Sequence, residues 1–154
     1  PNTAVINAAR QKELLDAGRI KPEEAWIGLR DAETKKPVRA HRGSVRWNAF
    51  RKRYVMILCE VGGTSHLGEI WYAEADAPEG PWRQARKIVT HDNYSFYNPV
   101  HHAFFDQGGG RLIYFEGTYT KTFSGAPAAT PRYDYNQILY RLDLSDPRLA
   151  LPRE

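Results

Sequence analysis

A single cysteine, Cys59, among 154 residues leaves no pair for an internal disulfide, so packing alone must hold the fold. Its setting in "YVMILCE" (54–60) reads as a buried, inert thiol rather than a nucleophile. Long apolar runs are missing too. Nothing approaches the ~18 consecutive apolar residues of a membrane span, and no basic segment leading into an apolar stretch marks a signal peptide. Charge of one sign is scarce: 22 Lys and Arg against 18 Asp and Glu leave a net +4. Only 35–36 ("KK") and 51–53 ("RKR") form clusters, which suit solvated turns. No aromatic-plus-basic RNA-recognition motif accompanies them, so neither nucleic acid nor membrane is the expected partner. The chain begins at Pro1 rather than Met. It is expected to be soluble and to have a trimmed or processed start, which would leave a secreted or periplasmic location open.

What is present is ordinary globular material, 42% apolar and 26% charged, in a length that suits one domain. "TAVINAARQKELLDA" (3–17) predicts one amphipathic helix, capped by Asn2 or Thr3 and ended by Gly18. Trp26 to Arg30 reads as a short strand. Residues 1–40 are thus an N-terminal helix with a connecting segment, and 41–154 form the domain proper. From Gly43 on, runs of Val, Ile, Tyr, Trp and Phe alternate with turns such as "DAPEGP" and "DQGGG", a β texture.

The β region repeats. An offset of 58 lays 43–58 over 101–116, with Arg53 on Arg111, Trp47 on Phe105, and Val55 and Ile57 on Ile113 and Phe115. An offset of 68 lays 68–76 over 136–144, with Ile70 on Ile138 and Tyr72 on Tyr140. Strands are expected at 44–48, 53–60, 69–76 and 85–90, then at 100–105, 111–118 and 136–144. Strand, tight turn, strand, loop, strand is the pattern of a β-propeller blade. The expected fold is therefore all-β, with about two four-stranded antiparallel propeller-type units after the helix. Two blades do not close a ring. Further blades from a longer chain, self-association, or a small open sandwich would complete the structure.

Strand direction then predicts one shared end for His41, His66, His91, His101 and His102, together with the loops 61–68, 91–99 and 119–135. Candidate ligand-binding residues there are His66, Asp92, Tyr94, Tyr97, Asn98, His102, Arg132 and Asp134. His101 and His102 alternate across a strand, so only one of them can face the site. His102 with His66 or Asp92 could give an N/O metal site, and a divalent cation such as calcium is the candidate cofactor. Glu60 and Glu116 end apolar strands and are the candidate catalytic acids; structural pairing with Arg132 or Arg46 is the competing reading. "TYTKTFSGAPAATPRYDYNQ" (118–137) is long for a loop, and its rings interleaved with Asp, Asn and Arg suit a sugar ligand.

"IWYAEADAPEGPW" (70–82) and "YNPVHHAFFDQGGGRLIYFEG" (97–117) resemble strand-and-turn segments of the five-bladed β-propeller glycoside hydrolases, the arabinanase, xylosidase and invertase-like group. The resemblance covers 43–144 and implies carbohydrate as ligand, with axial carboxylates, and in some members a histidine and calcium, at the centre. Where that group has an acid before the blade-opening proline, this chain has Asn98, and 40–44 holds no acid. Glycoside hydrolysis needs a carboxylate pair. The expectation is thus a part of a glycoside hydrolase-like propeller acting on or binding an oligo- or polysaccharide, with a non-catalytic carbohydrate-binding or scaffold module as the alternative.

Overall fold

The computed structural model describes residues 5–25, 27–91 and 93–152. Among these residues the one α-helix, α1 (Ala8–Asp16), starts later than expected, with Asn7 as the cap accepting from the Arg10 N–H at 2.9 Å; the expected caps at 2 and 3 lie outside the described residues. Arg10–Glu13 and Lys12–Asp16 pairs support the helix along its own surface. No residue of α1 is buried, so it adds nothing to the core.

Among the described residues, eight strands form two sheets. β1 (Ile27–Asp31), β2 (Ala40–Asn48), β3 (Arg53–Glu60), β4 (Ile70–Ala75) and β5 (Trp82–Val89) lie in the order β1-β5-β4-β3-β2. β6 (Ser95–His101), β7 (Leu112–Thr120) and β8 (Tyr135–Asp143) lie in the order β6-β7-β8. Every pair is antiparallel except β1 with β5. The chain is all-β with two sheets, but of five and three strands rather than four and four. β1 matches the strand expected at 26–30 from Ile27 on; Trp26 lies outside the described residues.

The expected strand at 100–105 is displaced. β6 ends at His101, and Ala103–Phe105 is a 3-10 turn. Pro99 does not open the strand but sits inside it, beside Asn98 at φ +48° and a break in register between Tyr97 and Val100. An edge strand tolerates a proline at such a bulge, because no ladder donor is needed there.

β3 is buried along six consecutive residues, 55–60, because both of its faces are covered. Val55 and Ile57 pack with Ile70, Tyr72, Phe96, Ile113, Phe115 and Leu144 in a layer between the two sheets. Met56 and Leu58 pack on the opposite face with Leu29, Val38, Trp71, Trp82 and Ala85. Each such side chain contributes about 1.5–3 kcal/mol of burial. The β2–β3 pair closes tightly at Gly43, where an added Cβ would fall 2.2 Å from the Ile57 carbonyl oxygen and 2.7 Å from Leu58 Cα. Only glycine fits that approach.

The sheets stack in register. The His41 ring lies 6.4 Å from that of Tyr97, and Ser44 Oγ accepts the His101 N–H at 2.8 Å. Numbers rise together along both strands, so β2 and β6 run the same way, edge strand on edge strand. Sheets stacked with strands in one direction and one order turn opposite faces toward each other. Under the expected offset of 58, Val55 and Ile57 match Ile113 and Phe115, yet all four point into the shared layer. The equivalence therefore needs an odd offset. A one-residue slip exchanges faces, and a strand apolar on both faces gives no alternation to fix it.

Candidate functional site

β3, β5 and β7 finish at one end, where segments 61–69, 90–94 and 121–134 meet. Thr64 Oγ1 donates to the His91 carbonyl at 3.1 Å, and the Ser65 and Ser95 hydroxyls lie 3.0 Å apart. The His66 ring is 6.1 Å from Phe123. His91 stacks on Tyr94 at 4.5 Å, and the Tyr119 ring stands edge-on to both, at 5.5 and 5.0 Å. Tyr94 Oη donates to the Ala129 carbonyl at 3.1 Å, which ties the long loop down. Thr120 Oγ1 donates to the Asp134 carbonyl, and Asn136 Nδ2 to Thr130 Oγ1 at 3.0 Å. Of the predicted site, this end gathers His66, Tyr94, Arg132 and Asp134. Phe123, Arg132, Tyr133, Asp134 and Tyr135 are exposed, with the Arg132 guanidinium 5.8 Å over the Tyr133 ring. Asp92 lies outside the described residues.

His102 and Glu116 gather elsewhere, on the face of the β6-β7-β8 sheet turned away from the other sheet, while the Tyr97 ring reaches the first sheet beside His41. Tyr97 pairs with Thr118 and Thr118 with Gln137; Val100 pairs with Glu116 and Glu116 with Leu139. Thr118 Oγ1 donates to Gln137 Oε1 at 2.9 Å. His102 Nε2 lies 3.2 Å from Glu116 Oε1. His101 turns inward, as alternation requires: it is buried, with Nε2 2.8 Å from Asp106 Oδ1. Both histidines lie at the far end of β6 from Ser95, not at its opening, so His102 does not meet His66. The displacement of β6 is the cause. Asn98 occupies the bulge in the left-handed region, with a buried Oδ1 that meets no donor among the described residues.

The two expected acids do not face each other. Glu60 shares the face of β3 that carries Met56 and Leu58, away from the second sheet, and accepts the Trp71 indole N–H at 2.9 Å. Glu116 lies on the far face of the second sheet. Both sheets stand between them, further than the ~10 Å of one sheet-on-sheet spacing. Among the described residues neither Arg132 nor Arg46 pairs with them. A nearer carboxylate, Glu69, went unpredicted. It accepts the Thr64 N–H at 3.2 Å and lies 3.4 Å from Lys87 Nζ. A Cβ built on Gly63 would fall 1.6 Å from Glu69 Oε2 and 3.3 Å from Glu60 Oε2, so both carboxylates close on one spot. Burial, with the charge of Glu69, pushes the Glu60 carboxyl up against its Trp71 and Arg39 hydrogen bonds. An acid opening "EIWYA" just as Glu60 closes "YVMILCE" was the signal for Glu69. Glu69 is 1% exposed and Glu60 9%, so the pair braces the 61–69 loop rather than meeting solvent.

Arg51 and Arg53 converge on Glu74, whose side chain is nearly buried: Arg51 Nε lies 2.6 Å from Oε1 and Arg53 Nη1 3.7 Å from Oε2. Tyr72 Oη donates to the same carboxylate. Two of the three "RKR" charges thus satisfy an internal acid. The Cys59 thiol is buried, 3.6 Å from His41 Nδ1, and burial pushes its pKa up, which keeps it protonated and inert. Two clefts of about 480 and 540 Å³ hold none of the expected site residues; they are lined by charged side chains such as Arg53 and Asp76, and Asp31 and Arg148. Among the described residues no three of His, Cys, Asp or Glu come together as a metal-binding group, and no helix is long and apolar enough to cross a membrane. No protein-family model matches the chain, and no curated protein matches it either.

Proposed function

We propose that this chain is a carbohydrate-binding part of a propeller-type protein, its two sheets serving as neighbouring blades. The stacking of β2 on β6, with strands running the same way, supports the blade relation. The ligand class rests on one observation: Arg132, Tyr133, Asp134 and Tyr135 all stand exposed beside the end where His66 and Tyr94 lie. Flat rings there offer apolar area to a sugar face, and the neighbouring charged groups offer partners to its hydroxyls. Binding is favoured over hydrolysis by this chain alone, because Glu60 and Glu116 lie on faces separated by both sheets. A glycosidase requires two carboxyls within roughly 5–9.5 Å. A hydrolytic partner for Glu116 would come from further blades or another copy.

The test is calorimetric titration with arabino- and xylo-oligosaccharides. Tyr133→Ala or Tyr135→Ala should weaken binding by about 1–3 kcal/mol, ten- to a hundredfold, through lost ring area. Glu116→Gln should leave affinity within a few-fold. No titration by the wild-type chain would remove carbohydrate as the ligand class. Glycoside turnover that Glu116→Gln abolishes would replace the binding reading with the hydrolase one.

A further inference from the structure

The loop between β3 and β4 closes over two acids. Glu60 ends β3, Glu69 directly precedes β4, and both are buried. Backbone pairing sets them side by side, the Glu60 N–H donating to the Glu69 carbonyl at 3.0 Å. Their side chains turn toward one spot: a Cβ on Gly63 would fall 1.6 Å from Glu69 Oε2 and 3.3 Å from Glu60 Oε2. The surrounding charges do not balance this pair. From β5, Lys87 Nζ lies 3.4 Å from Glu69 Oε1, with the Trp71 ring 5.3 Å away on its other side. Arg39 lays its guanidinium against Gly62 and offers Glu60 its backbone N–H, at 3.4 Å. β4 contributes the neutral Trp71 indole N–H, and the loop the neutral Thr64 N–H. Two carboxyls this close and this buried cannot both ionise without strong mutual repulsion. A proton on Glu60 removes the conflict, and burial together with Glu69 pushes that carboxyl toward keeping it.

We propose that this proton, held between Glu60 and Glu69, latches the loop 62–66 against the second sheet, and that its loss on raising the pH releases the loop. The loop has both a catch and a hinge. Thr64 Oγ1 donates to the His91 carbonyl at 3.1 Å, Ser65 Oγ to the Tyr94 carbonyl at 3.3 Å, and the His66 ring lies beside Phe123. Leu67 is buried and accepts the Phe96 N–H at 2.8 Å, so it stays in place as the loop moves. At the other end Gly62 sits at φ +76°, where glycine turns most freely. The link from charge to loop is Thr64, whose N–H lies 3.2 Å from each oxygen of Glu69. A Glu69 that swings away from an ionised Glu60 therefore draws the loop with it. The direction follows from linkage: the closed loop holds the proton more tightly, so it is favoured at low pH and lost as the pH rises. Release parts His66 from Phe123 and loosens the end where Tyr94 and the segment 121–134 meet.

The test is amide hydrogen exchange across a pH series, corrected for the intrinsic pH dependence of exchange. In the wild type, protection of the 62–66 amides should fall at least roughly threefold as the pH rises, while the β4 amides 70–75 show no step. Glu60→Gln keeps an acceptor for the indole and cannot ionise, so its loop should stay protected throughout. Two histidines, His66 and His91, lie at the same end, and a step arising from either would survive in Glu60→Gln. Glu69→Gln removes the like charge and should move the step to lower pH. The wild type also carries its own reporter: the Trp71 indole N–H donates to Glu60, and its NMR resonance should titrate with the midpoint of the loop. That measurement holds even if a variant fails to fold. A wild type without the step, a step that survives in Glu60→Gln, one shared by the β4 amides, or an indole midpoint apart from that of the loop would each overturn the proposal. It is independent of the carbohydrate reading, since no sugar enters these measurements.

Discussion

Glu60 has its polar needs met by neutral donors, the Trp71 indole and the Arg39 N–H, rather than by a cation in contact. Burial first, and then the charge of Glu69, therefore raise its pKa above the ordinary 4.5. A folded-state pKa above the unfolded one means that the folded chain holds the proton more tightly. The stability this group contributes is complete below about the unfolded value and is lost as pH rises through the folded one. Glu60→Gln keeps an oxygen for the indole and cannot ionise. Melting temperatures measured from pH 5 to 8 should show the variant gaining on the wild type as pH rises. A difference that stays constant with pH would mean that Glu60 is not desolvated as drawn.

The long segment 121–134 is held from outside itself, by Tyr94 through the Ala129 carbonyl and by the His66 ring beside Phe123. Tyr94→Phe keeps the rings and removes only the hydroxyl. An exposed hydrogen bond of this kind contributes about 0.5–1.5 kcal/mol, so global stability should change little. Local opening should rise instead, and trypsin should cut after Lys121 or Arg132 faster in the variant, read by mass spectrometry. Equal cleavage would place the anchor elsewhere. Elements of this size divide sharply in how far they could be read from sequence. β3 and β7 were legible from their apolar runs and the turns that bound them, and the loop from its length and tyrosines. β6 was not, because a proline in such a run reads as a strand opener, whereas a bulge lets Pro99 sit inside an edge strand. His102 then fell at the wrong end. His102 and Glu116 read as separate features in the sequence, and only the fold brings them within 3.2 Å of each other. The 58-residue offset failed for a related reason: doubly buried strands hide which face is which.

The two sheets depend on each other unequally. The first has a core on each face, whereas the buried apolar side chains of the second all face the shared layer. Three strands with one such face are near the lower limit of independent stability. Phe115 lies in that layer, 1% exposed and stacked on Tyr140 at 5.0 Å. Phe115→Ala should cost about 3–5 kcal/mol, for the lost transfer energy and the cavity left behind. That loss should not be shared evenly. Amides of β6, β7 and β8 should lose protection from hydrogen exchange by roughly a hundredfold or more, the full cost of the cavity. Those of β3 and β4 should fall by less, because Met56, Leu58, Trp71 and Trp82 still pack on their other face. Equal losses across both sheets would mean that the first sheet cannot stand without the second and that the chain unfolds as one unit. Larger losses in β6 to β8 would instead match stacked blades, each leaning on the one before it.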